Sequence, residues 1–453
     1  YFLMSIYSTK EVTNTEKKKP LFADALKFWF KLGWISFGGT TGHISIMHDY
    51  LVEKRKWISN NKFLQALNSC MILPGPEAQQ LAIYIGWKLH GRKGGITAGT
   101  LFVLPSMLIL LILSIIYVIY GNNPLLISIF NGLKPSVLAI ILVATYKVGQ
   151  KALHSSIHYI VALLTFGLSY FMHVAMPLVI LGIIVLSVLL DKLFPKLTGI
   201  AKSNLANIDR KEEDEYVINL NQDEKLLSKK ATLKTVLSFL GLWALPLLLL
   251  LLFGVDKGFW SSMVLFFTQT ACITIGGSYT VIPYVAQLVV LKFMWLSRLQ
   301  MLDGFALAET TPGPLIIVLS FVGFMAGYNH FNNSILFGVI GLLATTYYTF
   351  LPNFLFIFLG APLADRYKDH HLIQTILSLV TAALVGVILN LTFFLGRSII
   401  FPEELSFQHV DYLSIGWILF VLLLLLRFRT NVLYIVLLSI GFGIVRYLLL
   451  NLN

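Results

Sequence analysis

Leu73-Pro74-Gly75-Pro76-Glu77 interrupts an apolar stretch that would otherwise be long enough to cross a lipid bilayer. A second motif, Pro312-Gly313-Pro314, interrupts another apolar stretch 238 positions after the first. Proline cannot continue a helical hydrogen-bond ladder but suits the start of a helix, and glycine lets a backbone or a ligand approach closely. Each motif therefore predicts a half-helix that starts inside the membrane, at Pro76 and at Pro314.

The two motifs belong to a repeat that covers most of the chain. The equivalent positions 238 residues apart are Gly38-Gly39 with Gly276-Gly277, Trp57 with Trp295, Ser59 with Ser297 and Pro74 with Pro312. Leu104-Pro105 recurs as Leu351-Pro352 at a spacing of 247, so the second copy has gained nine residues. A constant spacing across glycine, tryptophan and proline indicates two homologous halves.

Composition places the chain among polytopic membrane proteins. Of its 453 residues, 57% are hydrophobic and 12% are charged, whereas a soluble chain carries about 25% charged residues. The excess of 34 basic over 22 acidic residues is typical of cytoplasmic loops in a membrane protein. Both cysteines, Cys70 and Cys272, lie in apolar stretches, which argues against a disulfide scaffold and against a thiolate metal site.

Changes in composition divide the chain into four segments. We predict a cytoplasmic N-terminal segment at residues 1–20, a first membrane repeat at 21–190, a charged cytoplasmic linker at 191–234 and a second membrane repeat at 235–453. The linker carries nine Lys and Arg against eight Asp and Glu, which is typical of a solvated tether. A chain that opens at Tyr1, without a secretory signal, predicts a trimmed or partial N-terminus.

Basic residues on both sides of the first Pro-Gly-Pro segment predict a re-entrant hairpin. Residues 54–62 and 88–93 are both rich in Lys and Arg, and a simple span between them would place one basic loop outside, against the positive-inside tendency. Such a hairpin is tolerated where its free backbone groups line a polar cavity. The stretch at 21–50, broken at Gly38-Gly39, is either a second hairpin or a kinked span.

An additional apolar segment, Val236 to Phe253, opens the second half and has no counterpart in the first. One extra crossing inverts everything that follows it. The sequence therefore predicts an all-α polytopic membrane protein whose two homologous halves form an inverted repeat, with interrupted or re-entrant helices broken at Gly-Gly and at Pro-Gly-Pro. That pattern is typical of the binding site of a transporter.

The broken segments predict an anion site near the membrane midplane. The first N–H groups of a helix have no intrahelical acceptor and carry partial positive charge, so two such termini that meet from opposite faces can hold an anion. The residues at the glycine breaks, with the hydroxyls of Thr40, Thr41 and Ser278, would add further donors. The alternative interpretation of a single Pro-Gly-Pro motif is a kink that serves helix packing. The predicted substrate-binding residues are Gly38, Gly39, Thr40, Thr41, Pro74, Gly75, Pro76, Gln79, Lys134, Gly276, Gly277, Ser278, Thr311, Pro312, Gly313 and Pro314.

Ionisable residues within apolar segments are costly there and are candidates for function. Lys134 breaks the symmetry of the repeat, because Thr381 stands at the equivalent position, and its ammonium group would favour a divalent oxyanion. The alternative for Lys134 is snorkelling toward an interface. We predict Glu77 and Glu309, beside the two motifs, as proton-coupling residues, because two negative species cannot share a dry site cheaply. The alternative for Glu77 is a helix cap.

Metal and catalytic chemistry receive little support. His43, His48, Asp49 and Glu53 follow the first glycine break, but the second copy has Val281 in place of His43. We therefore predict no metal site, no cofactor and no catalytic residue. The sequence has no phosphate-binding loop of the Walker type, which leaves protons or the membrane potential as the driving force.

These motifs resemble the signature of the chromate ion transporter family. The matching stretches run from Phe37 to Trp57 and from Leu73 to Ala82 in the first half, and cover Gly276-Gly277 and Glu309 to Pro314 in the second. The resemblance implies a long-chain, two-domain member in the plasma membrane that exports chromate, with sulfate as a competing or alternative anion. Thr40 stands where the family usually has a proline after the first Gly-Gly.

The leading interpretation is thus a secondary transporter, an antiporter or a symporter, for tetrahedral divalent oxyanions. Its partners would be the inorganic oxyanion and the lipid bilayer, without nucleic acid, and a homodimer is left open. A passive anion channel is the alternative within transport, and an intramembrane enzyme or a signalling scaffold is the alternative from another class. Family membership alone does not decide between chromate and sulfate, which share charge, shape and oxygen acceptors.

Overall fold

The computed structural model describes residues 19–36, 39–193, 215–219, 228–253, 255–274, 278–367, 370–401 and 410–451. Across these residues the regular structure is helical, apart from one isolated β-bridge. Seven of the described helices are long and apolar enough to cross a membrane. The predicted all-α polytopic membrane architecture is therefore confirmed.

Helices make up most of the described residues of both halves. The described first half forms α1 (Phe22–Ile35), α2 (Gly39–His48), α3 (Asn60–Ile72), α4 (Glu77–Tyr120), α5 (Pro124–Ala152), α6 (Ser156–Tyr170) and α7 (Met176–Leu193). The described second half forms α8 (Lys229–Phe253), α9 (Lys257–Ile273), α10 (Ser278–Gln287), α11 (Arg298–Thr310), α12 (Val318–His330), α13 (Ile335–Leu355), α14 (Ala361–Tyr367), α15 (His371–Ile400), α16 (Tyr412–Leu426) and α17 (Val432–Asn451). The extra apolar segment lies in α8, and the inverted orientation of the halves stays a prediction.

Each Pro-Gly-Pro motif follows a helix of 13 residues, α3 in the first half and α11 in the second. Such a helix is about 20 Å long, which is shorter than the roughly 30 Å of bilayer hydrocarbon. Both helices are capped by serine: Ser59 accepts from the Lys62 N–H, and Ser297 forms a capping box with Gln300. We call α3 with residues 77–89 the first hairpin, and α11 with α12 the second hairpin.

Helix α4 contains both an arm of the first hairpin and the span that follows. At His90 φ is −133° and ψ is 24°, and at Gly91 φ is +65° and ψ is −160°, so the backbone leaves the helical region between residues 89 and 92. Glycine adopts this positive φ without the strain that a Cβ would cause. The second arm of the first hairpin therefore ends at this kink, and residues 92–120 form a separate membrane-length segment.

The two halves are packed into each other rather than side by side. The long helix α5 packs on α16 and α17, and its counterpart α15 packs on α6 and α7. Polar contacts join these helices, since the hydroxyls of Ser136 and Ser439 lie 2.6 Å apart and His158 Nε2 lies 2.7 Å from Ser378 Oγ. The helices that each half contributes to the other hold the hairpins in a shared core.

A short piece of the charged linker is docked on the loop that leads into the first hairpin. We call residues 215–219 the strap. Ile218 donates its N–H to Trp57 O (3.0 Å) and accepts the Ser59 N–H (2.9 Å), and its side chain is only 2% exposed. In addition, Lys56 Nζ lies 2.6 Å from Glu215 Oε2. This part of the linker therefore packs as a structural element.

The second half satisfies the same backbone groups with its own side chains. Asn329 Nδ2 donates to Trp295 O (2.7 Å), and Gln300 Oε1 accepts the Ser297 N–H (2.9 Å). Position 62, which corresponds to Gln300, is a lysine and offers no acceptor to Ser59. The carbonyl of Ile218 fills that role, so the strap completes the first half where side chains complete the second.

The ion pair at the edge of the strap is a small addition to this packing. The hydrogen bond from Lys56 holds the pKa of Glu215 below its usual value, and the same bond raises the pKa of Lys56. Because the pKa of this carboxylate is lowered, the ion pair adds to the free energy of unfolding at neutral pH. That addition is lost as the pH falls through the lowered pKa. Both side chains are more than half exposed, so solvent screens the attraction.

Replacing Ile218 by aspartate is expected to release the strap. Burial of an isoleucine contributes about 2 kcal/mol, and a carboxylate at this position would be desolvated without a partner. We expect limited proteolysis within residues 215–219 to accelerate at least tenfold. Glu215→Gln is the matched control and should change the rate less than twofold, because it removes only the exposed ion pair. Equal cleavage of Ile218→Asp and the unmodified chain would show that the strap is not held by this contact.

Candidate functional site

The helix breaks of the two halves are joined by a reciprocal pair of hydrogen bonds. The Gly75 N–H donates to Thr274 O at 2.6 Å, and the Gly313 N–H donates to Ser36 O at 2.7 Å. Ser36 and Thr274 are 238 residues apart, as are Gly75 and Gly313, so the two bonds are equivalent by the repeat. Each Pro-Gly-Pro motif thus reaches the helix end before the glycine break of the other half.

These bonds satisfy the carboxyl ends of α1 and α9. Ser36 and Thr274 are the residues that cap these helices, and their hydroxyls bond back to Leu32 O (2.5 Å) and Thr270 O (2.7 Å). His43 Nε2 lies 2.8 Å from Ser36 O as well. The N–H groups of both motif glycines are therefore engaged in holding the breaks together in this structure.

The helices after the motifs begin directly at the breaks. Pro76 is the N-terminal capping residue of α4, and the first main-chain bond of that helix runs from the Gln80 N–H to Pro76 O at 3.0 Å. The N–H groups of residues 77–79 therefore precede any helical acceptor. In the second half a 3₁₀ turn, Leu315–Ile317, follows Pro314 and engages the Ile317 N–H. Among the described residues, the N–H groups of residues 315 and 316 have no main-chain acceptor.

Two polar residues that sequence reasoning missed lie against the motif glycines. Gly75 has φ +126° and Gly313 has φ +103°, and a Cβ at either position would overlap a neighbouring side chain, Asn353 Oδ1 or Ser106 Oγ respectively. Ser106 and Asn353 follow the repeated Leu-Pro pairs and are 247 residues apart, so they are equivalent. A polar residue after each Leu-Pro pair was the available signal.

A buried amide network connects one break to the neighbouring spans. Asn353 Nδ2 donates to Gln79 Oε1 at 2.7 Å, and Gln79 Nε2 donates to Gly99 O at 3.3 Å. Gln80 Nε2 donates to Pro74 O. Among the described residues, Ser106 Oγ, Asn353 Oδ1 and Gln80 Oε1 are buried without a hydrogen-bond partner. Buried polar atoms in this condition indicate a place for water or a ligand.

The two glutamates that sequence reasoning selected lie on either side of the breaks. Glu77 opens α4 and is 9% exposed, and Glu309 is the penultimate residue of α11 and is partly buried. The Thr310 and Thr311 hydroxyls bond to their own helix, at Leu307 O (2.7 Å) and Ala308 O (2.8 Å). The carboxylates are thus near the breaks, whereas these hydroxyls are turned to the helix backbone.

Lys134 lies away from the breaks. Its Nζ is 3.3 Å from Asp303 Oδ1 on α11, and Asp303 precedes Thr311 by eight residues, which is about 12 Å along a helix. The structure therefore bonds Gly75 and Gln79 to Thr274 and Asn353 of the second half and leaves Lys134 about two turns along the second hairpin.

The structure describes some of the remaining predicted positions and not others. Gly39 and Thr40 are half-buried at the start of α2, and Pro312 and Pro314 are buried beside Gly313. Gly38, Gly276 and Gly277 lie outside the described residues, and the side chains of Thr41 and Ser278 are likewise outside them. In the part of the chain that the structure describes, no group of three or more His, Cys, Asp or Glu could hold a metal ion.

Together these groups make up a candidate site that is rich in hydrogen-bond donors and poor in cations. The N–H groups at residues 77–79 and 315–316 and the Ser106 hydroxyl can donate hydrogen bonds to an oxyanion. They come from half-helices of opposite halves, held in register by the Gly75 and Gly313 bonds. An arrangement of this kind can stabilise a desolvated anion without a permanent charge of opposite sign.

Comparison with known proteins gives a consistent family. A family model described as chromate transporter matches residues 23–188 and 261–444. A probable chromate transport protein of Synechococcus elongatus is 29% identical over 82% of this chain and 84% of its own length. The chromate transport protein of Pseudomonas aeruginosa is 28% identical over 91% and 88%, and an uncharacterized transporter of Methanocaldococcus jannaschii is 26% identical over 94% and 95%.

No solved structure matches this chain. The family match includes both Pro-Gly-Pro motifs and the residues that build the joined breaks. Since it extends over both halves and well over half of the residues, the chain belongs to the chromate transporter family.

Proposed function

We propose that the chain is a secondary transporter that exports chromate across the plasma membrane, with sulfate as a competing or alternative substrate. The names of its relatives support chromate as the cargo. Both anions are tetrahedral dianions, and helix N-termini recognise charge and oxygen acceptors rather than the central atom. The transport names of these relatives also favour a transporter over an enzyme.

The observation that carries this proposal is the reciprocal bonding of Gly75 to Thr274 and of Gly313 to Ser36. It supports a single shared site in which half-helices from both repeats point their free N–H groups at one anion. Among the described residues two main-chain hydrogen bonds join the breaks, and loss of these bonds would let the breaks separate as units, as alternating access requires. We further propose that the repeats are inverted in the membrane and that the linker at 191–234 is cytoplasmic.

The test is transport by the purified protein in sealed vesicles. Labelled sulfate and chromate uptake would be followed at several pH gradients and membrane potentials. Saturable flux that responds to a gradient is the expected result, and each anion should inhibit uptake of the other. Flux that never saturates would favour a passive channel. Absence of flux for both anions under every gradient would end the transporter proposal, and product formation without a second compartment would favour an enzyme.

Substitution of the two glutamates tests the proton-coupling role. Glu77→Gln and Glu309→Gln mimic the protonated state, so we expect flux in either variant to lose most of its dependence on the pH gradient while anion binding persists. Glu215→Gln changes an exposed side chain of the strap, and this control should behave as the unmodified protein. If both site variants keep the original rate and the original pH dependence, the coupling residues lie elsewhere.

A further inference from the structure

Beyond the breaks, two buried ion pairs connect a hairpin of one half to a helix of the other. Lys62 on α3 lies 3.8 Å from Asp365 on α14, and Lys134 on α5 lies 3.3 Å from Asp303 on α11. All four side chains are at most 13% exposed. The Lys134 pair is the more informative, because Lys134 lies in an apolar segment and faces Asp303 of the second hairpin.

Asp303 is held from two directions. Its Oδ1 faces Lys134, and its Oδ2 accepts a 2.9 Å hydrogen bond from the Tyr117 hydroxyl on α4. Lys134 also donates to Asn131 Oδ1 at 3.3 Å, one turn earlier on its own helix. The carboxylate therefore keeps one strong donor if Lys134 leaves, while Lys134 keeps only a neutral amide if Asp303 leaves.

Packing around Phe321 connects the Lys134–Asp303 ion pair to the break at the second Pro-Gly-Pro motif. Gly304, next to Asp303, has no room for a Cβ because the Phe321 ring of α12 lies against it. The Tyr117 ring packs edge to face on the same Phe321, with ring centroids 5.4 Å apart. Phe321 follows Pro314 by seven residues, so the pair and the break share the two arms of the second hairpin.

We propose that Asp303 is a positioning residue that holds Lys134 until a dianion takes its place. The inference rests on the proposed function. A buried ammonium without a counter-charge is costly, so Lys134 needs a partner when no anion is present. A dianion attracts the same ammonium about twice as strongly as a monovalent carboxylate at equal distance. Tyr117 then retains Asp303, and the bound anion takes Lys134 as its counter-ion.

A purely structural ion pair predicts the opposite outcome for one substitution. If the pair only joined the halves, Asp303→Asn would loosen the hairpin and weaken anion binding. If Asp303 competes with the anion for Lys134, the same nearly isosteric change removes the competitor and strengthens binding. The sign of the change in affinity therefore separates the two roles.

The experiment measures sulfate binding by titration calorimetry on the purified full chain in lipid nanodiscs, with flux in vesicles. For Asp303→Asn we expect the sulfate Kd to fall at least fivefold and the turnover to fall, because release becomes slower. For Lys134→Met we expect the Kd to rise at least tenfold, and Lys134→Met/Asp303→Asn should bind like Lys134→Met. Asp411→Asn breaks the Arg446–Asp411 pair, with 2.9 Å between Nη1 and Oδ2, and is the control expected to leave Kd unchanged.

Tyr117→Phe provides an independent variant if Asp303→Asn does not fold. Loss of the hydroxyl makes Asp303 more dependent on Lys134, so the sulfate Kd should rise about threefold. An unchanged or higher Kd in a folded Asp303→Asn, or an unchanged or lower Kd in Tyr117→Phe, would overturn the inference. Failure of the unmodified protein to bind either sulfate or chromate is a different result, because it would remove the proposed function itself.

Discussion

Replacing Gly313 by alanine is expected to reduce anion flux at least 100-fold. Its φ of +103° is strained for any residue with a Cβ, and the added methyl group would overlap Ser106 Oγ. A backbone shift that relieves the overlap would move the Gly313 N–H away from Ser36 O and open the joined breaks. We expect a loss of about 2–5 kcal/mol in the free energy of unfolding from strain and overpacking.

The result can be separated from a general glycine effect. Gly182, on α7, has nothing within 4 Å of an added Cβ, so Gly182→Ala should leave flux unchanged. Gly75→Ala, with φ +126° and Asn353 as its neighbour, should repeat the loss in the first half. Adding Ser106→Gly to Gly313→Ala removes the overlap but not the strain, and flux should stay low. Flux within twofold of the unmodified protein in Gly313→Ala would contradict the assigned role of this break.

Replacing Asn353 by aspartate is expected to weaken oxyanion binding about 100-fold, or about 2.7 kcal/mol. The change preserves the shape of the side chain that lies against Gly75 but puts a negative charge beside the proposed site. Repulsion between a carboxylate and a dianion within a few ångströms is of several kcal/mol at the effective dielectric of a protein interior. The affinity for sulfate and chromate, measured by titration at neutral pH, reports this change directly.

Asn353→Ala isolates the charge from the hydrogen bond. Both variants remove the donor to Gln79 Oε1, so both leave that buried oxygen unsatisfied at a cost of about 1–3 kcal/mol in stability. Only the aspartate adds charge, and we expect the alanine variant to bind within about fivefold of the unmodified protein. Equal affinities of the two variants would place the anion away from Asn353.

Local signals account for the elements that the sequence predicted well. The Pro-Gly-Pro motifs end α3 and α11 and are followed directly by α4 and by the turn that leads into α12, because proline blocks a helix before it and starts one after it. The membrane-length helices follow from long apolar runs. The repeat also identified equivalent positions, which is why Ser36 with Thr274 and Gly75 with Gly313 can be recognised as one contact made twice.

Long-range partners could not be read from the same signals. The sequence marked Lys134 as a cation for the substrate, and only the fold shows that Asp303 of the other half faces it. Asp303 lies within a short helix and carries no local mark of a pairing role. The strap is a similar case, because its charged composition predicts a tether whereas Ile218 supplies backbone bonds that Lys62 cannot replace.

By itself the sequence determined the membrane class, the two halves and the four places where helices break, because these depend on apolar length and on the backbone limits of proline and glycine. Only the tertiary structure decided which groups at those breaks are occupied and which remain free. The Gly75 and Gly313 N–H groups donate across the halves, whereas Asn353 lies against Gly75 and Ser106 lies against Gly313. Those pairings depend on contacts between residues about 200 to 280 positions apart, which no local pattern encodes.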